Sequence, residues 1–231
     1  MTPGPVDALA QAAVAEILSG MMVGLGTGRA ATRAIKALAG RVSAERLDIL
    51  CVATSRESDE LGRTLGLRVR PMETTEAVDY LFDGADEVDP ELRMIKGRGG
   101  AMTREKIVAH AAARRVYLVQ TAKMVTRLGV TAPLPVEVLR FGLAATRLAL
   151  RRLGLDGPLR AREGGGEYET DNGNPVIDAP LPPGTDTLQL ASALDGLPGV
   201  IGHGLFLDEA DVVLAEDTQG QLTRYTRPTA K

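Results

Sequence analysis

The sequence predicts an α/β fold: a Rossmann-like parallel-sheet domain with a smaller α+β, ferredoxin-like second domain. Three observations predict it. Short apolar runs alternate with helical periodicities through the first half of the chain, the pattern of βαβ units around a parallel sheet. Two Gly-containing turns, at Gly26 and at Asp83-Gly84, each follow a strand, so both can reach the carboxyl-end crevice where such sheets bind ligands. From about residue 131 the strands shorten and hairpin signals enter, which marks a second, smaller domain over 131–206, with 1–130 and 207–231 forming the first.

The elements follow in order. Val6, Leu9, Ala10, Ala13, Val14, Ile17 and Leu18 recur at helical spacing, and Gly20 is a stop signal. Met21–Leu25 reads as a strand, turning through Gly26-Thr27-Gly28 into a helix that begins near Ala30. Leu47–Val52 is the next strand. Thr54 with Glu57 has capping-box spacing and starts a helix that runs to about Leu65. Leu67–Val69 is a short strand ended by Pro71. Val78–Phe82 is an apolar strand followed by a loop carrying Asp83 and Asp86, and Met94-Ile95 is a shorter one. A helix follows from Thr103 to about Ala113, then a strand at Val116–Gln120. Leu134–Leu139 alternates around Pro135 and reads as an edge strand. Leu143–Leu153 is helical. Leu159–Arg162, Tyr168–Thr170 and Val176–Asp178 are strands with a hairpin at Asp171–Asn174. Leu188–Leu194 is a helix. Val200–Leu207 and Val212–Ala215 are strands. The polar tail after about Thr223 reads as frayed.

Composition excludes several classes. The 231 residues suffice for a sizeable core in one or two domains. A net charge of -3 argues against a dedicated nucleic-acid surface. No apolar run approaches the ~18 residues of a spanning helix, and the N-terminus shows no signal-peptide pattern. The single cysteine, Cys51, excludes an internal disulfide, fits a reducing cytoplasm, and reads as a packed thiol in a buried strand. His110 and His203, the two histidines, have no His or Cys partner at ligand spacing and read as structural. Asp83 with Asp86 is the one carboxylate pair suited to magnesium, but nearby Lys96 would repel a cation. No metal and no cofactor are expected.

The densest chemistry lies between Asp83 and Lys106: Asp-Gly-Ala-Asp-Glu-Val-Asp-Pro, then Met-Ile-Lys-Gly-Arg-Gly-Gly-Ala-Met-Thr-Arg-Glu-Lys. Carboxylates and a lysine gathered by tight loops can hold a hydroxylated substrate and move protons. This stretch resembles the signature of the type A ribose-5-phosphate isomerase family, which runs Asp-Gly-Ala-Asp-Glu, Ile-Lys-Gly-Gly-Gly-Gly-Ala, then Glu-Lys-Ile-Val. The similarity extends to Gly24–Gly28, to Pro133–Val138 and to Pro198–Phe206, and so spans nearly the whole chain.

The resemblance implies that the last strands return to the first sheet, and it implies an aldose–ketose isomerase acting through an enediolate. Glu105 is then the base, Lys96 faces the developing negative charge, and Asp83 and Asp86 bind hydroxyls and help open the ring. Substrate contacts are expected from Thr27, Gly28, Arg29, Ala30, Asp83, Gly84, Ala85, Asp86, Lys96, Gly97, Arg98, Gly99 and Lys123. The expected partner is a small phosphorylated sugar, with no nucleic acid and no membrane, and the family implies a dimer or tetramer.

The departures cluster at the phosphate end. Where the family writes Gly-Thr-Gly-Ser-Thr, this chain has Gly26-Thr27-Gly28-Arg29-Ala30, so two hydroxyls are missing. Val6-Asp7 stands near the family's first-helix lysine. Gln120-Thr121-Ala122 replaces Asp-x-Ser before a retained Lys123. Three readings are open: ribose 5-phosphate isomerase with Arg29 and Lys123 on the phosphate, the same chemistry on another pentose, or a sugar-phosphate-binding regulator without turnover. Bland readings also exist for each residue. Glu105 complements a helix dipole, the aspartates suit Gly-containing turns, Lys96 can be a solvated loop lysine, and the Gly26 turn can be a βα turn with no ligand.

Overall fold

A computed structural model describes residues 7–227. By internal contacts the chain divides into two units, residues 1–85, 104–124 and 209–231, and residues 86–103 and 125–208. The division read from the sequence, at 130/131 and 206/207, is kept as a proposal for the folding domains; it leaves residues 86–103 with the larger one.

The first unit opens with helix α1 (Ala8–Val14), capped by Asp7, whose side chain accepts from Ala10 N. The helix is shorter than its apolar spacing predicts, so Ile17 is buried from the following turn while Leu18 is exposed. Val6, the first residue of that pattern, lies outside the described residues. Strand β1 (Met22–Leu25), helix α2 (Arg29–Glu45), strand β2 (Leu50–Ala53), helix α3 (Arg56–Thr64) and strand β3 (Val78–Gly84) form the predicted βαβαβ run. Val69 makes only an isolated bridge to Cys51, so the strand expected at 67–69 is reduced to one residue.

In the second unit, β4 (Glu87–Val88) and β5 (Met94–Ile95) form a small antiparallel pair. Helix α4 (Met102–Ala111) spans the division of the chain, and strand β6 (Ala112–Gln120) continues the first unit.

Then come β7 (Leu134–Val138), α5 (Leu143–Arg152), β8 (Val176–Ala179), α6 (Thr187–Asp195), β9 (Val200–His203) and β10 (Leu205–Phe206) in the second unit. Strands β11 (Val212–Glu216) and β12 (Leu222–Thr226) end the first.

The first unit's sheet has the order β12-β11-β6-β3-β1-β2, parallel throughout except for β12, which runs antiparallel to β11. The chain beyond Thr223 is thus a paired edge strand rather than a frayed tail as far as Thr226. Leu9, Ile17, Ile35 and Leu38 from the helical side pack with Val23, Tyr80, Phe82, Val116, Leu118 and Leu214 from the strands. β2 lies on one side of β1 and β3 on the other, so the strand order reverses at the β1–β3 pair, the kind of switch point where open α/β sheets bind ligands.

The second unit holds a separate core around Val136, Val138, Leu150, Ile177, Leu190 and Leu194. Its sheet runs β8-β7-β9, all antiparallel, with Leu159 bridged to Ile177 on the outer side of β8. Taken in chain order this is βαββαβ with the second strand reduced to a bridge, the ferredoxin-like pattern. Ala161 and Glu167 also make only an isolated bridge, and Tyr168–Thr170 is not a strand, which corrects the hairpin expected there.

Two further expectations are corrected here. β7 is the central strand, not an edge, and all five of its residues are buried. Pro135 is tolerated because pairing with β9 begins only at Val136, so the missing N–H falls at the strand's start. The single strand expected at Val200–Leu207 is two strands in two sheets, broken at Gly204. Gly204 N donates to Pro135 O and its carbonyl accepts from Lys96 N, and a Cβ there would lie 2.3 Å from Lys96 O. No helix among the described residues is long and apolar enough to cross a membrane.

Candidate active site

In the first unit the carboxyl ends of β1 and β3 carry the predicted turn residues. Thr27 N donates to Asp83 Oδ1 at 3.0 Å, and Gly84 N donates to the same oxygen at 2.7 Å. Asp83 and Gly84 are the last residues of β3, not a following loop, because pairing with β6 continues to Gly84 opposite Leu118. Asp83 is fully buried.

The Thr27 hydroxyl lies 2.7 Å from Thr54 Oγ1 and donates to Ser55 Oγ at 2.8 Å. Thr54 does not cap α3, contrary to the capping-box spacing. Its hydroxyl donates to Leu25 O, and Ser55 caps α3 in a reciprocal bond with Ser58. The cap shifts by one residue because the hydroxyl of Thr54 is already bonded inside the sheet.

Gly28 is the N-cap of α2 and brings no side chain to the helix end, and the first turn of α2 holds no acid. The α2 terminus therefore keeps donors and positive potential for an anion. Arg29, the first residue of α2, is exposed, and none of the described residues bonds its guanidinium. Ala30 lies against Gly84, 3.4 Å from where a Cβ would stand. Asp7, near the place where the resemblance expects a lysine, is bonded by Arg33 at 2.6 and 2.7 Å, and Arg33 also reaches Glu216 at 3.0 Å. The Arg33 hydrogen bonds are the main influence holding the Asp7 carboxyl below its usual range. Lys123 donates from Nζ to the carbonyl of Ala85.

Glu105 stands in the first turn of α4 and is only 4 % exposed. Tyr117, opposite Asp83 in the β3–β6 register, is wholly buried. Burial first, and then the charges of Asp83, Glu209 and Glu105, hold its phenol well above the ordinary tyrosine range. Asp83 and Glu105 thus act on one neutral hydroxyl. Strand pairing reveals Tyr117; nothing in its local sequence does.

In the second unit Lys96 follows β5 and is 2 % exposed, with Nζ 5.5 Å from the centre of the Phe206 ring. Buried ammonium over an aromatic face is a cation–π arrangement. Asp86 N donates to Ile95 O, and Asp86 Oδ2 accepts from Arg98 N at 2.9 Å. Arg98 and Gly99 are exposed, and Gly97 and Gly100 have positive φ. A cavity of about 290 Å³ is lined by Asp86, Arg98, Thr131, Pro135, Arg160 and Asp178 among others. Buried Glu87 shapes one wall by accepting from the backbone of Gly129, Thr131 and Ala132. Nearby in the sequence, buried Glu137 accepts from Thr103, Thr170 and Asn174, none of them charged.

His203 and the cysteine fit structural roles, while His110 is exposed in the last turn of α4. His203 Nε2 is 3.0 Å from Asp195 Oδ1, and Leu205 N donates to His203 Nδ1. Burial pushes the Cys51 thiol up to about 12. Among the described residues no group of three or more His, Cys, Asp or Glu side chains is placed to hold a metal ion.

The family model for ribose 5-phosphate isomerase A (phosphoriboisomerase A) matches residues 50–220, and so includes Asp83, Asp86, Lys96, Glu105 and Lys123. The chain belongs to this family. It is 42 % identical over 212 residues to ribose-5-phosphate isomerase A of Roseiflexus castenholzii, covering 91 % of each chain. It is also 42 % identical to that of Dinoroseobacter shibae, covering 92 % of this chain and 84 % of the relative. Among solved structures, ribose 5-phosphate isomerase A from Methanocaldococcus jannaschii superposes with a TM-score of 0.89 at 34 % identity, covering 94 % of this chain and 96 % of that one. A D-ribose-5-phosphate isomerase in complex with phospho-erythronic acid gives 0.90 at 35 % identity, covering 95 % and 96 %. The α/β architecture with a smaller second body is therefore that of the type A family, as the Asp83–Lys106 stretch implies.

Proposed function

We propose that this chain interconverts ribose 5-phosphate and ribulose 5-phosphate by proton transfer through an enediolate. The observation that carries the reading is the burial of both Glu105 and Lys96 in a chain of this family. Ionisable side chains are costly to bury, and proteins keep them buried chiefly where chemistry or pairing needs them.

The reaction removes the proton at C2 of the open-chain aldose and returns one to C1. Glu105 serves both carbons as the base, worth roughly 10²–10⁴-fold in rate. Lys96 stabilises the negative charge that develops on oxygen, at ~3 kcal/mol for such a donor. Asp83 and Asp86 bind sugar hydroxyls and assist ring opening. The backbone of Gly97 and Gly99, with Arg98, Gly84 and Ala85, lines the sugar. The α2 terminus at Thr27, Gly28 and Ala30, with Arg29 and Lys123, takes the phosphate. A carboxylate base and an ammonium meet the needs of this route, so it is proposed to run without a metal. That a solved relative is a complex with phospho-erythronic acid supports a phosphorylated sugar as ligand.

The proposed setting is the non-oxidative pentose phosphate pathway in the cytoplasm, as a homodimer or tetramer. An isomerase assay over phosphorylated and free pentoses tests the reading. Turnover of ribose 5-phosphate well above free ribose is expected. Equal rates on both would move the assignment to another pentose, and no turnover on any would leave a binding protein.

A further inference from the structure

The loop after Lys96 is held by side chains that belong to no motif in the sequence. Arg160 Nη1 donates to the carbonyls of Gly97 at 2.9 Å and Arg98 at 3.0 Å. Its Nε and Nη2 donate to the two oxygens of Asp178 at 2.9 and 2.6 Å. The Tyr168 ring lies 5.4 Å from the guanidinium carbon, and the Tyr168 hydroxyl donates to Gly99 O at 2.8 Å. Three successive carbonyls are thus gripped, and on the amide side Asp86 Oδ2 holds Arg98 N. The Arg160 side chain is 13 % exposed, and its bonds to Asp178 and to the Gly97 carbonyl are partly buried, while those at Arg98 and Gly99 lie at the surface.

We propose that Arg160, aligned by Asp178 and backed by Tyr168, is a positioning residue that fixes the Gly97–Gly99 carbonyls and through them the placement of Lys96 and Asp86. A glycine-rich loop has little conformational preference of its own. The guanidinium's rigid fork of five donors can hold a carboxylate and two carbonyls at once, which the point charge of a lysine cannot. Displacing a catalytic group by about 1 Å can cost ~10²-fold in rate. The kinetic part of this inference rests on the isomerase reading; the structural part does not.

The test uses the full chain. Hydrogen exchange is measured without ligand at the amides of Lys96, Arg98 and Gly100, all hydrogen-bonded here. kcat and KM for ribose 5-phosphate are measured alongside, for Arg160→Met, Arg160→Lys and Tyr168→Phe. Arg160→Met is expected to speed exchange at Arg98 and Gly100 by about 10–100-fold, the equivalent of lost bonds to a charged group. Exchange in β7 and α6 should hold steady. kcat is expected to fall by ~10²-fold with KM little changed. Arg160→Lys should recover only part of this, and Tyr168→Phe, which loses one bond and keeps the ring, should show a smaller effect of the same kind.

Unchanged exchange at Arg98 and Gly100 overturns the proposal. So does a uniform rise across the unit with kcat per folded molecule retained, since that is what a merely structural ion pair would give. If Arg160→Met does not fold, the exchange data on Arg160→Lys and Tyr168→Phe decide in its place. If the native protein does not turn over ribose 5-phosphate, the isomerase reading fails while the exchange measurement still decides the clamp.

Discussion

Thr27 and Asp83 are joined backbone to side chain at 3.0 Å, linking the carboxyl ends of β1 and β3 where the strand order reverses. The bond needs the residue between Leu25 and Thr27 to be very small. A Cβ at Gly26 would lie 2.3 Å from Asp83 Oδ1 and 2.6 Å from Asp83 Cα, and the backbone atom has nowhere to move. Gly26→Ala is therefore expected to destabilise the fold by about 1–3 kcal/mol, the cost of overpacking a filled site. It should also displace Asp83 and lower turnover. Urea denaturation checks the first and the isomerase assay the second. A variant of native stability and rate would show that the approach is not as close as described.

Glu105→Gln keeps the shape of the side chain and removes the base. Turnover should fall by at least ~10²-fold while circular dichroism and sugar-phosphate binding stay near native. Lys96→Ala should cost at least ~2 kcal/mol in the activation barrier. A Gln variant with near-native kcat would remove Glu105 from the mechanism, whatever Lys96→Ala does.

Arg29 replaces one of the family's hydroxyls at the start of α2, and an arginine can hold a phosphate through two parallel charge-assisted bonds. Arg29→Ala is expected to weaken ribose 5-phosphate binding by ~1.5–3 kcal/mol, with affinity for free ribose barely altered. Arg29→Ser with Ala30→Thr restores the family's pair and should recover most of the activity. Calorimetric titration measures both. Unchanged or improved affinity in Arg29→Ala would mean that the arginine is not the phosphate ligand.

The proposed route asks nothing of a metal ion. Prolonged treatment with EDTA followed by gel filtration should leave the rate on ribose 5-phosphate unaltered. Activity lost on chelation and restored by a divalent cation would favour a metal-assisted shift through Asp83 and Asp86 instead.

Cys51 gives the stability curve an alkaline slope. Its thiol is raised by burial from 9.0 to about 12. Below pH 9 both folded and unfolded chains hold the proton, and the contribution is whole. Between pH 9 and 12 the unfolded chain loses it while the folded chain keeps it, so stability falls with rising pH, by at most ~1.4 kcal/mol per pH unit from this one group. Urea denaturation from pH 9 to 11.5 should show a steeper decline for the native protein than for Cys51→Ala. Parallel lines would sink the assignment.

The sequence by itself determined the alternation of strands and helices in the first unit, the α+β character of the second, and the family. Each of these is written locally. Strand and helix periodicities record which face is buried, and the run from Asp83 through Glu105 carries its residue types in order. Pairing partners are not written locally, and most of the corrections fall there. β7 looks like an edge because of Pro135, yet lies between β8 and β9. Residues 200–207 read as one strand, yet Gly204 passes the chain from one sheet to another. Thr54 has the spacing of a cap, but its hydroxyl is taken by Leu25 O, a residue 29 positions away, and Ser55 caps instead. The same holds in the candidate site. Lys96 and Glu105 can be named from their neighbours in the chain, whereas Tyr117 beside Asp83, and Arg160 on the Gly97 and Arg98 carbonyls, emerge only once strands 34 residues apart and loops more than 60 residues apart are brought together by folding. Hydrogen bonds at such separations depend on three-dimensional register, which no window of the sequence contains.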